Sequence, residues 1–362
     1  MLDTMGQHRD REPRVARGHY RTRGGLSRKP RWRRALVATA VSITVLAGVL
    51  AGAGFLLAEH LLSSIHRIGG IAALTARYQP IIAPGRQHGM TVLLTGSAVP
   101  TGGPTGQGLL GSSANPQLRS GLIALVHINA DHKGGAVISI PPTVVAEVPG
   151  HGRMQIYDAL KIGGPSLLIQ TVEGLTRVRI DHYSVLDFAG VGALVAAIGG
   201  VQVVVPRAET IFGQHFRVGL NHLTSANVLA YVRKPSDSAT GRVLRQQNLI
   251  RAICAKMGQI HALGSLRIDY AVARALAGTL SVDSNFSNSQ LVSLILSLAD
   301  LHGDDGVFVS APTVNGNPST GGLSRLYLKQ PESRALWTAI RADSVASFAK
   351  RHPATVTPIA PG

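Results

Sequence analysis

The sequence predicts an α/β sandwich (an α+β arrangement), a mixed central sheet flanked by helices and preceded by one N-terminal transmembrane helix. Two patterns predict it. Residues 35–58 form an unbroken uncharged run, and from Met90 onward apolar strand-like segments alternate with helical ones. Composition agrees: of 362 residues, 45% are hydrophobic and 15% charged, which supplies a sizeable core and excludes wholesale disorder.

The elements follow in order. Residues 1–34 hold eleven Lys/Arg and three Asp/Glu without apolar periodicity, and read as a disordered basic cytoplasmic tail. The run Ala35–Ala58 has 24 residues. As a helix it reaches roughly 36 Å, enough for a hydrocarbon core of about 30 Å. Arg31, Arg33 and Arg34 precede it and Glu59 closes it. The positive-inside rule then places the N-terminus in the cytoplasm and the rest outside, a single-pass cell-membrane protein with an extracytoplasmic main domain. A cleaved signal peptide is the competing reading, though its apolar run is usually shorter and no clear cleavage pattern precedes a mature start. Residues 59–89 read as a juxtamembrane helix, interrupted at Gly69-Gly70, and a linker.

The main domain is expected over 90–350, with a flexible end at 351–362. Strands are expected at Met90–Leu94, Leu122–Asn129, Ala136–Ile140, Val201–Val205 and Val307–Ala311, and extended chain over Val178–Val185. A hairpin-type turn at Asp131–Gly135 joins the second strand to the third. Helices are expected at Pro165–Thr176, Phe188–Ile198, Leu223–Arg233, Arg242–Ile260, Asn288–Leu301 and Ser333–Ser344. The region after about 262 reads as the end of the same domain.

The net charge of +17 is uneven, about +8 on residues 1–34 and +9 on the remaining 328. It is partly a property of the tail, where it suits anionic lipid head groups, and no helix-turn-helix pattern supports nucleic acid as a partner. The lone Cys254 excludes an intrachain disulfide framework and any CxxC site, and reads as a small core residue.

Arg242, Arg245 and Gln246 stand at helical spacing, hence on one helix face, and Arg233 ends the helix before them. Guanidiniums converging near a helix start suit phosphate or pyrophosphate, because Arg matches phosphate oxygens bidentately and the helix start adds free N–H groups. A solvated face with ordinary ion pairs is the alternative. His127 reads as a satisfied sheet histidine, and Asp181-His182 looks like a metal or acid/base pair in isolation.

In series, VHINAD (126–131), VISIP (137–141), VPGHG (148–152), the Gly163-Gly164-Pro165 helix, VRIDHYSVLDF (178–188), IGGV (198–201), LAYVR (229–233) and GRVLRQQ (241–247) resemble the LytR-CpsA-Psr family of membrane-anchored cell-wall proteins. The resemblance covers about residues 90–260. It implies a phosphotransferase that moves a glycopolymer from a polyprenyl pyrophosphate carrier to peptidoglycan. The carrier tail would lie in an apolar tunnel between sheet and helices, arginines would hold the pyrophosphate, and aspartates would bind Mg²⁺ or activate the acceptor. Arg233, Arg242, Arg245, Gln246, Gln247 and Ser97 are the pyrophosphate-binding residues that this resemblance selects. Asp181-His182 then falls in the strand framework.

The chain departs from the family pattern in one direction. Where the family usually reads GSDxR, this chain reads Gly96-Ser97-Ala98-Val99-Pro100. RSD becomes Arg119-Ser120-Gly121, and SIPRD becomes Ser139-Ile140-Pro141-Pro142-Thr143. The acidic residue expected before the last arginine is replaced by Ala239-Thr240-Gly241, and Asp237 is the nearest substitute. Mg²⁺ is expected for the family, yet Ala98 and Gly121 offer this hard cation no side-chain oxygen. No catalytic residue or metal ligand is assigned. The expectation is a family member with impaired catalysis. The alternative is a non-catalytic polyprenyl-pyrophosphate binder or regulatory partner of active members. Transcriptional attenuation, implied by the family's naming, is disfavoured because a domain outside the membrane cannot touch DNA.

Overall fold

A computed structural model describes Ser63 and residues 65–71, 80, 89–97, 122–132, 134–232, 234, 239–263, 266–299, 306–316 and 325–356. The predicted tail and membrane span (1–58) lie outside the described residues. Among the described residues no helix is long and apolar enough to cross a membrane.

The chain runs β1 (His66–Ile68), β2 (Met90–Ser97), β3 (Ile123–Ile128), β4 (Gly135–Ser139), β5 (Val145–Val148), β6 (Gly152–Gln155), α1 (Ile156–Thr176), β7 (His182–Asp187) and α2 (Phe188–Ala197). It continues with β8 (Val201–Val205), β9 (Glu209–Ile211), β10 (Gln214–Phe216), β11 (Gly219–Leu223), α3 (Val228–Val232), α4 (Ala239–Leu263) and α5 (Leu266–Thr279). The last elements are β12 (Leu280–Asp283), α6 (Asn288–Ala299), β13 (Gly306–Ser310), β14 (Thr313–Asn315), β15 (Leu326–Leu328), α7 (Glu332–Arg341) and α8 (Val345–Arg351).

Seven strands form a mixed sheet in the order β1-β12-β7-β2-β3-β4-β13. All six residues of β3 and all five of β4 are buried. Such strands read as continuous apolar runs because both faces are covered. Their alternate side chains separate into two cores. Val92, Ala124, Val126 and Val137 pack with α2 to α6 and the β8–β11 ribbon. Leu93, Ile123, Leu125 and Ile138 pack with α1, α7 and α8.

Local chemistry explains two conspicuous bends. α1 is two helical segments broken at Gly163 and Gly164, where Gly164 has φ 64 and ψ −160. That region is open essentially to glycine alone, and Pro165 then restarts the helix at a position where its missing N–H costs nothing. Gly200, at φ +86, leads into β8 so close to β11 that a Cβ there would meet the His222 ring at 2.4 Å.

Several expectations are corrected. The expected juxtamembrane helix is, over His66–Ile68, an edge strand pairing in parallel with β12. The helix expected over Leu223–Arg233 is shorter, because Leu223 still pairs with Val201 in the β8–β11 ribbon and α3 spans Val228–Val232. The region after 262 supplies α5, an antiparallel partner for β7 (β12) and a parallel partner for β4 (β13). In the C-terminal stretch expected to be loose, Val356 bridges to Val309.

Candidate phosphate-binding site

β2, β4, β7 and β13 run in one direction, since β7 and β13 pair in parallel with β2 and β4 and β3 is antiparallel to both. Their last residues, Ser97, Ser139, Asp187 and Ser310, therefore share one end of the sheet. Open α/β sheets take ligands beyond the carboxyl ends of their strands. Helix α4 is pinned at this end. Gln247, fully buried, donates from Nε2 to the Val309 carbonyl at 2.8 Å and accepts from the Ser310 hydroxyl at 2.9 Å.

Two residues earlier on α4, Arg245 donates from Nη1 to Glu209 Oε1 at 2.5 Å and from Nη2 to Oε2 at 3.4 Å. Lys234 donates from Nζ to Glu209 Oε2 at 2.5 Å. The Arg245 guanidinium also lies 5.7 Å from the centre of the buried Tyr231 ring, which tilts against Phe216. The β9–β10 hairpin delivers Glu209 here. Strand alternation puts Glu209 and Ile211 on the face shared with Phe216 and Gln214, and Ile211 and Phe216 are buried in the core.

Burial alone raises the Glu209 carboxyl, but the hydrogen bonds from Arg245 and Lys234 outweigh it and hold the group below its ordinary value. Glu209 is thus a carboxylate at neutral pH. Two cations thus meet one carboxylate at this point. Two buried polar atoms lie nearby along the chain or the sheet, Gln246 next to Arg245 and Ser139 opposite Ser310, which holds Gln247. Gln246 Oε1 and Ser139 Oγ have no hydrogen-bond partner among the described residues. Orphaned buried polar atoms are uncommon and mark places where a water or ligand completes the structure.

The structure sorts the expected pyrophosphate residues. Arg245 stands in the cluster. Gln246 is buried beside it in sequence, and Gln247 commits its amide to β13. Arg242 lies near the start of α4 and Ser97 ends β2, but their side chains are outside the description, and Arg233 and Asp237 lie outside the described residues. Glu209 and Lys234 escaped the sequence reading. A signal for Glu209 was present: it is the single acidic residue between Asp187 and Asp237.

The remaining polar pairs hold the framework. His127 accepts or donates at both ring nitrogens, 2.9 Å from Thr91 Oγ1 and 2.7 Å from Asp343 Oδ1. His182, at the far end of β7, meets Asp283 at 3.1 Å and stacks on Phe286 at 4.0 Å, while Asp181 accepts from the Thr91 N–H. The Cys254 thiol is pushed up to about 12 by burial and is inert core.

Mg²⁺ needs several oxygen ligands. No group of three or more His, Cys, Asp or Glu that could hold a metal is present among the described residues, and Glu209 is engaged by two cations.

Comparison with known proteins agrees with the architecture. An enzyme titled LytR-Csp2A-Psr from Actinomyces oris shares the fold at 19% identity, with a TM-score of 0.58 over 76% of this chain and 96% of that one. Bacillus subtilis TagV aligns at 18% identity and a TM-score of 0.55 over 72% and 98%. Among curated proteins, the probable cell wall biosynthesis protein LcpB of Corynebacterium glutamicum is 34% identical over 121 residues, 32% of this chain and 29% of its own length. The polyisoprenyl-teichoic acid–peptidoglycan teichoic acid transferase TagU of Enterococcus faecalis is 25% identical over 179 residues, 49% of this chain and 59% of its own. These matches thus span less than two thirds of either relative. The LytR_cpsA_psr family model matches residues 76–342. With that match over most of its length, and with this sheet and helix order, the chain belongs to the LytR_cpsA_psr family.

Proposed function

We propose that this chain is a membrane-anchored extracytoplasmic protein of cell-wall assembly that binds a polyisoprenyl-pyrophosphate-linked glycopolymer and has impaired transfer to peptidoglycan. The observation that carries this reading is the Arg245–Glu209–Lys234 cluster at the carboxyl end of the parallel strands. A pyrophosphate entering there meets two cations already partly buried and held in place, and it competes with Glu209 for them. The relatives lend the substrate class: TagU is named for polyisoprenyl-teichoic acid transfer, and another structure sharing the fold is titled TagT bound to LIIa-WTA.

Residue chemistry supports the impaired transfer. Phosphoryl transfer needs charge neutralised on the phosphate oxygens and a positioned nucleophile. The chain keeps cations but has Ala98 and Gly121 where the resemblance expects carboxylates. Glu209, depressed by its two partners, is a poor proton acceptor. The same substitutions favour a second reading, a binder without turnover that acts on a sister enzyme.

Calorimetric titration of the full chain with a short-chain polyisoprenyl pyrophosphate, with and without Mg²⁺, tests the proposal, followed by a transfer assay onto peptidoglycan. Binding indifferent to Mg²⁺ with slow transfer supports it. Binding with no transfer selects the second reading. Binding that requires Mg²⁺ with rapid transfer rejects impaired catalysis, and absence of binding rejects both readings.

A further inference from the structure

The hairpin that carries Glu209 also points a large aromatic side chain away from the core. Register places a two-residue turn, Phe212-Gly213, between Ile211 and Gln214. Both turn residues have positive φ, 48 for Phe212 and 78 for Gly213. Such turns favour Asn-Gly, and a bulky residue in the left-handed region is a steric outlier. Phe212 recovers none of that cost by burial, since it is 66% exposed. An outlier retained at an exposed tip points to a use outside the fold.

The surroundings indicate what that use is. Val218 is 66% exposed and Leu220 49%, both within nine residues of Phe212 along the chain. Arg207 and Arg217 flank the hairpin on either side, and both are exposed. Glu209 is the one acidic residue in this stretch, and it is bound inward to Arg245 and Lys234. The exposed side chains of residues 207–220 therefore include an aromatic tip, aliphatic groups and two arginines with no acidic partner among the described residues. That composition matches an anionic bilayer interface, where rings sit at head-group level and arginines meet lipid phosphates. A soluble sugar chain would use the ring but gain little from the aliphatic residues. By contrast, exposed Val292 and Leu296 lie on α6, which carries no basic residue.

We propose that the β9–β10 tip docks into the surface of an anionic bilayer and so sets the height of the phosphate-binding cluster above it. The purpose, though not the geometry, rests on the lipid-linked donor proposed above. Glu209 is three residues from Phe212, about 10 Å along an extended strand. Ile211 and Phe216, buried on the inner side, make the arm stiff. A docked tip would hold the Arg245 cluster close to the head groups, where a carrier pyrophosphate emerges.

The test uses the full chain reconstituted with vesicles, with Phe212→Trp as a reporter at the tip and Val314→Trp as a reporter elsewhere on the exposed surface. Indole fluorescence, corrected for the parent chain, is read against quenching by bromine-labelled acyl chains. In vesicles rich in phosphatidylglycerol the tip reporter should be quenched and the Val314 reporter should not. Pure phosphatidylcholine should weaken the quenching. The double variant Arg207→Gln, Arg217→Gln should weaken association of the tip about fivefold for each arginine lost. An unquenched tip, equal quenching of both reporters, or indifference to the double variant would overturn the proposal. Protection of the tip by soluble polyglycerol phosphate, with no quenching by lipid, would also overturn it and assign the hairpin to a polymer. Pyrophosphate titration remains an independent readout, so failure of docking and failure of ligand binding are separable.

Discussion

Glu209 and Glu173 are both glutamates withdrawn from solvent, one on each face of the sheet, and their carboxyls shift in opposite directions. On the α1 face, Glu173 is 2% exposed and accepts a hydrogen bond from the Ile180 N–H at 2.9 Å, while its Oε2 has no partner among the described residues. Burial pushes it up to about 7. On the α4 face, burial also acts on Glu209, but hydrogen bonds from Arg245 and Lys234 outweigh it. Glu173 is the more deeply buried and has no cation hydrogen-bonded to it, whereas Glu209 has two; deeper burial and fewer partners together set the opposite signs. One face holds a carboxyl that keeps its proton until close to neutral pH, as a framework group. The other holds an ionised carboxylate clasped by two cations.

The largest expected effect sharpens this contrast on the framework side. Glu173 has a folded value of about 7 against an ordinary 4.5. A raised value contributes stability that is full below the ordinary value and is lost as pH rises through the folded one. Chemical denaturation should therefore show up to about 3 kcal/mol lost between pH 4.5 and 8 from this group. Glu173→Gln should flatten that slope; an unchanged slope would place the titration elsewhere.

Next in size, Arg245→Ala should weaken binding of a short-chain polyisoprenyl pyrophosphate about ten- to a hundredfold, as loss of a charged hydrogen-bonding group does. Calorimetry reads it, and the melting temperature should move little. Equal affinity would remove Arg245 from the site.

The framework counterpart is Asp343→Ala. It strips His127 and the Ala130 N–H of their acceptor, at 2.7 and 3.0 Å, and should cost about 2 kcal/mol of stability. Pyrophosphate affinity should stay as in the parent. A parallel loss of affinity would erase the division between framework and site.

The smallest expected effect has the opposite sign. Glu209→Gln removes the internal competitor for Arg245 and Lys234 and should tighten pyrophosphate binding by about fivefold, roughly 1 kcal/mol. Weaker binding would instead make Glu209 a group that positions the two cations.

Much of the architecture was legible in the residues. Ile123–Ile128 and Gly135–Ser139 are apolar runs of strand length joined by Asp131–Gly135, and they form adjacent strands buried on both faces. The helix following Gly241 was legible from its spacing, and so was Arg245 as its cationic group. Less legible were elements whose identity depends on a distant partner. His66–Ile68 has no strand pattern of its own and becomes one by pairing with Ser281–Asp283. Gln247 looked like a ligand and is a tie to Val309 and Ser310, more than sixty residues away.

By itself the sequence determined the alternation of strands and helices, the two-sided burial of the central strands and the basic character of α4. These depend on side-chain periodicity over a few residues, which is a local property of the chain. Only the tertiary structure decided that Glu209 meets Arg245 across 36 positions and that His127 meets Asp343 across 216. Local periodicity carries no record of such pairings. They arise when the hairpin packs Ile211 and Phe216 into one core and α7 and α8 close over the other, bringing each carboxylate to its partner.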